Sequence, residues 1–475
     1  MKPMSHSFQT QATLALQNES LQWALTKAKG KFVDKRRQAI EIFPEFEQLR
    51  TRARQIKEHT LNHLDFYLEQ FEQQVIQSGG KVHWADTAQT ACQTIVQLCQ
   101  TAPAKRITKG KSMIGEEIAL NSALEQAGFE VTETDLGEYI IQLAQEYPSH
   151  IIAPAVHKTK EEVTELFYTH HQVYGFNERV TTIPELVNQA RQVLREKFLT
   201  ADVGITGANF LIAETGSVMI VTNEGNGDLT ASLPRVHIVI ASLEKVIPTL
   251  EDATTLLRLL ARSATGQEMT TYTTLFTGPK RPEDLEGPTE FHVVLVDNGR
   301  TALLNSEFHE ILYCIRCGAC LNHCPIYMAI GGHAYGWVYP GPMGSVLTPL
   351  LQGLTTTSLA EVSTLCGQCE TVCPVKIPLP QLLRQLRVKT FANHLPSWRV
   401  RWSLTLWAFM AKRPQLYHIL TGYIIRVFSK WQLPLRHLPF AQGWTTTKDL
   451  PAPQGETFMS AWKKHLNQDS QDVQN

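Results

Sequence analysis

Apolar residues recur every three or four positions through residues 38–77, "QAIEIFPEFEQLRTRARQIKEHTLNHLDFYLEQFEQQVIQ", and the run stops at Gly79–Gly80. That spacing predicts helix up to the glycine pair. Then the texture changes. "KVHWA", "FEVTETD" and "SHIIAPAV" read as strands, and "KRITKGKSM" as a strand and loop. "TAQTACQTIVQLCQ", "IGEEIALNSALEQAG", "LGEYIIQLAQEY" and "TKEEVTELFYTHH" between and after them read as helices. From Ala201, "ADVGITGANFLIAETGSVMIVTNEGN" reads as strand, short helix, strand, and "RVHIVIASLEKVI" as a strand running into a helix. "TTYTTLFTG" and "FHVVLVDNG" add two strands. Alternation of this kind predicts an α/β domain with a parallel sheet and crossover helices. Its expected bounds are residues 80–300, after an N-terminal helical segment over residues 1–79.

Length and composition narrow the class. A chain of 475 residues is long enough for about three domains. Its 43% apolar and 19% charged residues are those of a globular chain with full cores. The net charge of -1 offers no general attraction for nucleic acid. "MKPMSHSFQT" has no apolar stretch after its lysine, so no secretory signal is expected. No run of about 18 apolar residues occurs either, so no spanning helix is expected. The expected location is cytoplasmic.

Cysteine placement carries the chemistry. Of nine cysteines, seven fall between Cys314 and Cys373. Clustering of that kind, without a secretory signal, favours metal over disulfides. "CIRCGACLNHCP" sets Cys314, Cys317, Cys320 and Cys324 in the C-x2-C-x2-C-x3-C-P run of two-cluster ferredoxins. Three thiolates at that spacing converge on one cubane, and the fourth serves the other cluster. "STLCGQCETVCP" supplies Cys366, Cys369 and Cys373, with Ser363 where another cysteine would stand. The crossing rule assigns Cys314, Cys317, Cys320 and Cys373 to one [4Fe–4S] cluster. It assigns Cys324, Cys366 and Cys369 to a second, one thiolate short.

That second cluster can be [4Fe–4S], with Ser363, water or a partner's group at the open corner, or [3Fe–4S], which needs only three thiolates. An open corner either binds a hydroxy acid directly or only tunes an electron-transfer cluster. Zinc is the competing metal, but zinc ribbons need no third Cys at the next interval and no closing Cys-Pro. The expected cysteine-bearing domain spans residues 301–390.

Between the half-motifs stand "GGHAYG" and "YPGPMG", which are not generic ferredoxin sequence. With these, and with "KGKSM", "ETDLGEYIIQL", "AVHKTKEEV" and "GITGANFLIAETGSVMIVTNEGN" upstream, most of the chain resembles the lactate-utilisation protein B family. The resemblance implies a lactate-utilisation α/β domain similar to the sugar-isomerase and CoA-transferase group, then an α-helical ferredoxin-type two-cluster domain. It implies an electron-transfer role in oxidising L-lactate to pyruvate. It implies two partners, a cysteine-rich subunit and a smaller protein with the same α/β domain. The family's second half-motif also has three cysteines, so Ser363 is in keeping with it. Two other readings stay open: direct hydroxy-acid oxidation at the three-cysteine cluster, and a redox- or anion-sensing regulatory module.

Fewer signals come from elsewhere. Glu214 in "AETGS" is expected to orient a loop, with a nucleophile as the alternative that CoA-transferring relatives of the fold raise. Lys109 and Lys111 either bind an anion or are ordinary loop lysines. Gly204, Gly207 and Gly216 are expected in tight turns. "GNGDLT" lacks the third glycine of a dinucleotide loop, so no nucleotide cofactor site is expected. From residue 391 the chain is basic and rich in tryptophan. Between Thr371 and Thr447 there is no Asp or Glu but eleven Lys and Arg, from Lys376 to Arg436. Six of the nine tryptophans lie beyond Ser397. This tail suits a cationic cover with Trp as core, a dock for an acidic partner, or peripheral contact with the membrane's inner face.

Overall fold

The computed structural model describes residues 7–356, 358–431, 453 and 455–472. It divides into two compact units, residues 1–389 and 390–475.

The first unit opens with helices Phe8–Gln17, Glu19–Glu41, Phe46–Asn62 and Leu64–Gln77. Asn18 starts the second by accepting from the Leu21 N–H at 3.0 Å. Among the described residues ten strands follow: β1 Lys81–Ala85, β2 Arg106–Lys109, β3 Glu130–Glu133, β4 Val203–Thr206, β5 Phe210–Ile212, β6 Ser217–Thr222, β7 Val236–Ser242, β8 Val246–Ile247, β9 Tyr272–Phe276 and β10 Glu290–Val296. Six make the expected parallel sheet, ordered β1-β10-β7-β4-β2-β3. Every residue of β7 is buried, as a central strand covered on both faces must be.

A second sheet, β8-β5-β6-β9, was not legible in the sequence. The short helix expected between β4 and β6 is instead strand β5, hairpinned antiparallel to β6. Gly216 makes that turn possible. Its φ is 66°, and a Cβ there would come within 2.6 Å of the backbone at Gln74 and Val75. Gly204 plays a different part from the turn expected of it. It lies inside β4, where a Cβ would meet the Thr230 carbonyl at 1.8 Å.

Other differences have local causes. "SHIIAPAV" forms no strand. The His150 Nδ1 accepts from the Ile152 and Ala153 N–H groups at 3.0 and 3.1 Å, and Pro154 has no N–H to give a ladder. "IGEEIALNSALEQAG" splits into Met113–Glu117 and Leu120–Gln126 because Ala119 takes φ 57°. After β7 comes only a 3-10 turn, Leu243–Lys245. The helix waits until Leu250–Thr265, past Pro248, where Thr249 caps it through the Asp252 N–H at 3.1 Å.

One core joins the N-terminal helices, the second sheet and the cysteine region, from Phe46 and Phe71 through Phe210 to Phe308 and Leu386. A separate core covers the other face of the parallel sheet, around Ile95, Leu124, Ile205 and Val294.

The second unit contains helices Trp398–Ala411, Pro414–Trp431 and Phe458–Asp472. Trp398, Trp402 and Trp407 are exposed, so they form no core. Apolar residues surround the Trp398–Ala411 helix on all sides and leave no single apolar face. Arg436 and Trp444 lie outside the described residues. Among the described residues, no helix is long and apolar enough to cross a membrane.

Candidate metal centre

The first half-motif is a loop followed by one helical turn, Ala319–Asn322, entered through Gly318 at φ 74°. The second repeats this design, with Gly367 at φ 85° before Gln368–Thr371. Each glycine supplies the left-handed residue that bends the chain back on its cysteines.

The structure brings Cys314, Cys317, Cys320 and Cys373 to the wall of one small cavity, closed by Ile315, Met343, Val375 and Ile377. Burial pushes the Cys317 and Cys320 thiols up, and neighbouring thiolates push them further. Burial first, then the Cys314 thiolate, lifts Cys373 to about 11, against N–H donors from Ile377 and Val375. Cys324, Cys366 and Cys369 form a second group beside it. Burial first, then Cys324 and Cys366, push the Cys369 thiol up to about 12. Crowded thiols of this kind hold their protons unless a cation replaces them, and soft thiolates suit iron. The donor set therefore fits iron–sulfur clusters. The second group is also the more open one, because Cys366 is exposed.

Ser363 is occupied with the turn it stands in. Its Oγ accepts from the Leu365 N–H at 3.2 Å, and Leu365 adopts φ 55°. Its carbonyl accepts from Arg387. Ser363→Ala is expected to cost about 1 kcal/mol through the lost turn bond, with iron content unchanged. Loss of iron from the second group alone, on anaerobic assay, would make the serine a ligand instead.

Cations surround the half-motifs, and the sequence reading singled out none of them. Arg36 Nη2 donates to the Val372 carbonyl at 3.0 Å. Arg50 gives the Cys373 carbonyl two bonds, at 2.9 and 2.7 Å, and the Thr371 carbonyl a third at 2.9 Å. Arg54 reaches the Lys376 carbonyl at 2.5 Å. The N-terminal helices therefore fasten the second half-motif, and their charge offsets that of the thiolates. Arginine every few residues on a helix was visible in "QLRTRAR", but that pattern equally suits a solvated face.

The first half-motif is fastened from the α/β domain. Arg316, between Cys314 and Cys317, takes φ 60°, which only a held side chain makes tolerable. It lies 4.7 Å over the Tyr339 ring and 3.3 Å from Glu244 Oε1. The other Glu244 oxygen lies 2.8 Å from Arg300 Nε, and Arg300 in turn pairs with Glu117 at 2.7 Å. Tyr339 closes the circuit, its OH donating to Glu117 at 2.6 Å. Burial pushes the Glu244 carboxyl up, but Arg300 and Arg316 outweigh burial and hold it at about 2.

The remaining candidates separate. Lys109 is buried between Glu133, at 2.7 Å, and Glu116, at 3.1 Å, so it is an internal ion pair. Lys111 lines a large cleft and donates to the Ile152 carbonyl at 2.7 Å. Gly207 lines the same cleft, in ordinary backbone conformation and not in a tight turn. Glu214 accepts from the Leu250 N–H at 3.0 Å, orienting the start of a helix as expected of a loop residue. Glu146, His157 and His333 bring their ligand atoms within 4.8 Å of one another. Lys158 pairs with Glu146 at 2.5 Å, and Ser149 holds His157 Nδ1 at 2.8 Å, so this group reads as a hydrogen-bonded brace.

Two family models match the chain in this order. The LUD domain family matches residues 68–296, and a 4Fe-4S dicluster domain matches residues 310–377. "Lactate utilization protein B" of Lysinibacillus sphaericus is 43% identical over 98% of both chains. The protein of that name in Shouchella clausii is 42% identical, again over 98% of both. The "Uncharacterized electron transport protein YkgF" of Escherichia coli is 39% identical over 99% of both. A DUF162 family structure from Deinococcus radiodurans covers 49% of this chain and 98% of its own, with TM-score 0.28 and 14% identity. With an α/β domain of parallel strands leading into a helical iron–sulfur domain, and full-length relatives at this identity, the chain belongs to the lactate utilization protein B family.

Proposed function

We propose that this chain is the electron-transfer subunit of a set of proteins that oxidises L-lactate to pyruvate. It would carry two [4Fe–4S] clusters, the first on Cys314, Cys317, Cys320 and Cys373, the second on Cys324, Cys366 and Cys369. The observation that carries the reading is the convergence of four thiols on one cavity with three more beside it. Such clusters, when bound, supply one-electron transfer.

The chain's own residues keep water from the first group and hold both half-motifs in register through the arginines. The exposed Cys366 marks the side on which a partner would meet the second group. The proposed partners are a cysteine-rich subunit and a smaller LUD-domain protein. The basic, tryptophan-bearing tail is a surface on which they would dock.

Anaerobic purification with iron and sulfide counting, and EPR of the oxidised and reduced forms, tests this. Roughly eight irons per chain and two reducible signals are expected. An oxidised [3Fe–4S] signal would revise the second cluster. Zinc in place of iron would end the electron-transfer reading.

A further inference from the structure

A cavity of about 550 Å³ opens off the carboxyl ends of β2, β4 and β7, the edge at which parallel α/β sheets hold their ligands. It is not the cysteine cavity, but the two share a wall. Ile151 lines both, and Arg316, which lines the cleft, sits between Cys314 and Cys317.

Three cations reach this cleft, and two are engaged. Lys111 donates to the Ile152 carbonyl, and Arg316 pairs with Glu244. The third, Lys245, has no hydrogen bond or ion pair among the described residues. Its neighbour Glu244 is turned to Arg300 and Arg316. Burial, then Arg316, pushes the Lys245 ammonium down to about 8, against the pull of Glu244 and then of Cys314. Lys245 is partly exposed at the cleft wall with no carboxylate at ion-pair distance among the described residues, so an anion entering the cleft finds an ammonium free to receive it.

The rest of the lining limits the anion. Asp135 and Glu224 also line the cleft, and burial followed by Asp135 pushes the Glu224 carboxyl up. A second negative charge would meet these acids, so the ligand has one anionic end. Ile114, Ile151, Ile152 and Leu260 give the remainder an apolar wall.

We propose that this cleft binds a small organic monocarboxylate, its carboxylate on Lys245 and its carbon chain along Ile151, Ile152 and Leu260. The site belongs to the α/β domain and stands independently of what the clusters do. The volume exceeds that of a three-carbon acid, so longer 2-hydroxy acids fit as well as lactate.

Calorimetry on the cluster-loaded protein tests it, with L-lactate, pyruvate, 2-hydroxyhexanoate and inorganic phosphate as probes. At least one carboxylate is expected to bind, and Lys245→Met to weaken it about tenfold or more, with Lys245→Arg recovering part. Should Lys245→Met fail to fold, the wild type decides. The bound acid must then protect Lys245 from acylation, read by mass spectrometry. No binding by any carboxylate, phosphate binding as tightly, unchanged affinity in Lys245→Met, or no protection of Lys245 would overturn the proposal. Iron content, measured on the same samples, separates failure of this cleft from failure of the cysteine assignment.

Discussion

Cys373→Ala is expected to lose the first cluster and keep the second, so that iron falls by about half. Cys373 is the one cysteine of the second half-motif on the wall of the first cavity. Its backbone stays in place without the thiol, because Arg50 grips the Cys373 carbonyl twice. The substitution therefore removes a ligand before it removes an anchor. Metal binding at a site that exists only in the folded chain is also folding free energy, on the order of 10 kcal/mol for structural zinc. The first half-motif should accordingly loosen, with limited proteolysis advancing between residues 314 and 324, while Arg50 holds the segment around residue 373. Reduced EPR spectra should retain one of two signals. If iron stays at the wild-type level, Cys373 is not a ligand. If the remaining signal is that of the first cluster, the crossing between half-motifs is wrong.

Glu244→Gln should cost about 3–5 kcal/mol without touching a cysteine, the usual consequence of removing one partner from a buried ion pair. The carboxylate is buried between Arg300 and Arg316, and its carbonyl accepts from Lys57. Gln keeps the shape and discards the charge. Arg300 still has Glu117 afterwards, but Arg316 loses its anionic partner while held at φ 60° in the first half-motif. Urea unfolding monitored by fluorescence gives the cost directly. Arg316→Met, alone and combined with Glu244→Gln, completes a double-mutant cycle. Its expected coupling is at least about 1 kcal/mol. Additive costs would mean that Glu244 serves Arg300 alone and has no part in shaping the cysteine loop.

How far the sequence reached follows from how local each signal is. Ferredoxin spacing is a property of a dozen consecutive residues, so all seven cysteines could be named before any contact was known. Parallel strands such as β7 are runs of buried β-branched residues, equally local. Failures occurred where a particular side chain or a close backbone approach, and not the apolar pattern, decided. The strand expected at residues 149–156 lost its ladder donors to the His150 side chain. Hairpin β5–β6 depends on Gly216 passing against the backbone of Gln74 and Val75. Lys109 and Lys111 stand two residues apart and read alike, yet only Lys111 lines the cleft, while Lys109 is enclosed by Glu116 and Glu133.

By itself, then, the sequence determined the parallel-sheet class, the cysteine half-motifs and the family resemblance, because spacing and composition act over short stretches. Tertiary structure alone decided which groups share a space. It placed Cys373 beside Cys317, and Arg50 on a carbonyl more than three hundred residues away. It also ran an ion-pair chain from Glu117 to Arg316 and left Lys245, at the wall of a cleft, without an ion pair among the described residues. Partners brought together across long loops leave no periodicity in the chain. Their energies, charge against charge in a water-poor interior, exist only once the fold has excluded the solvent.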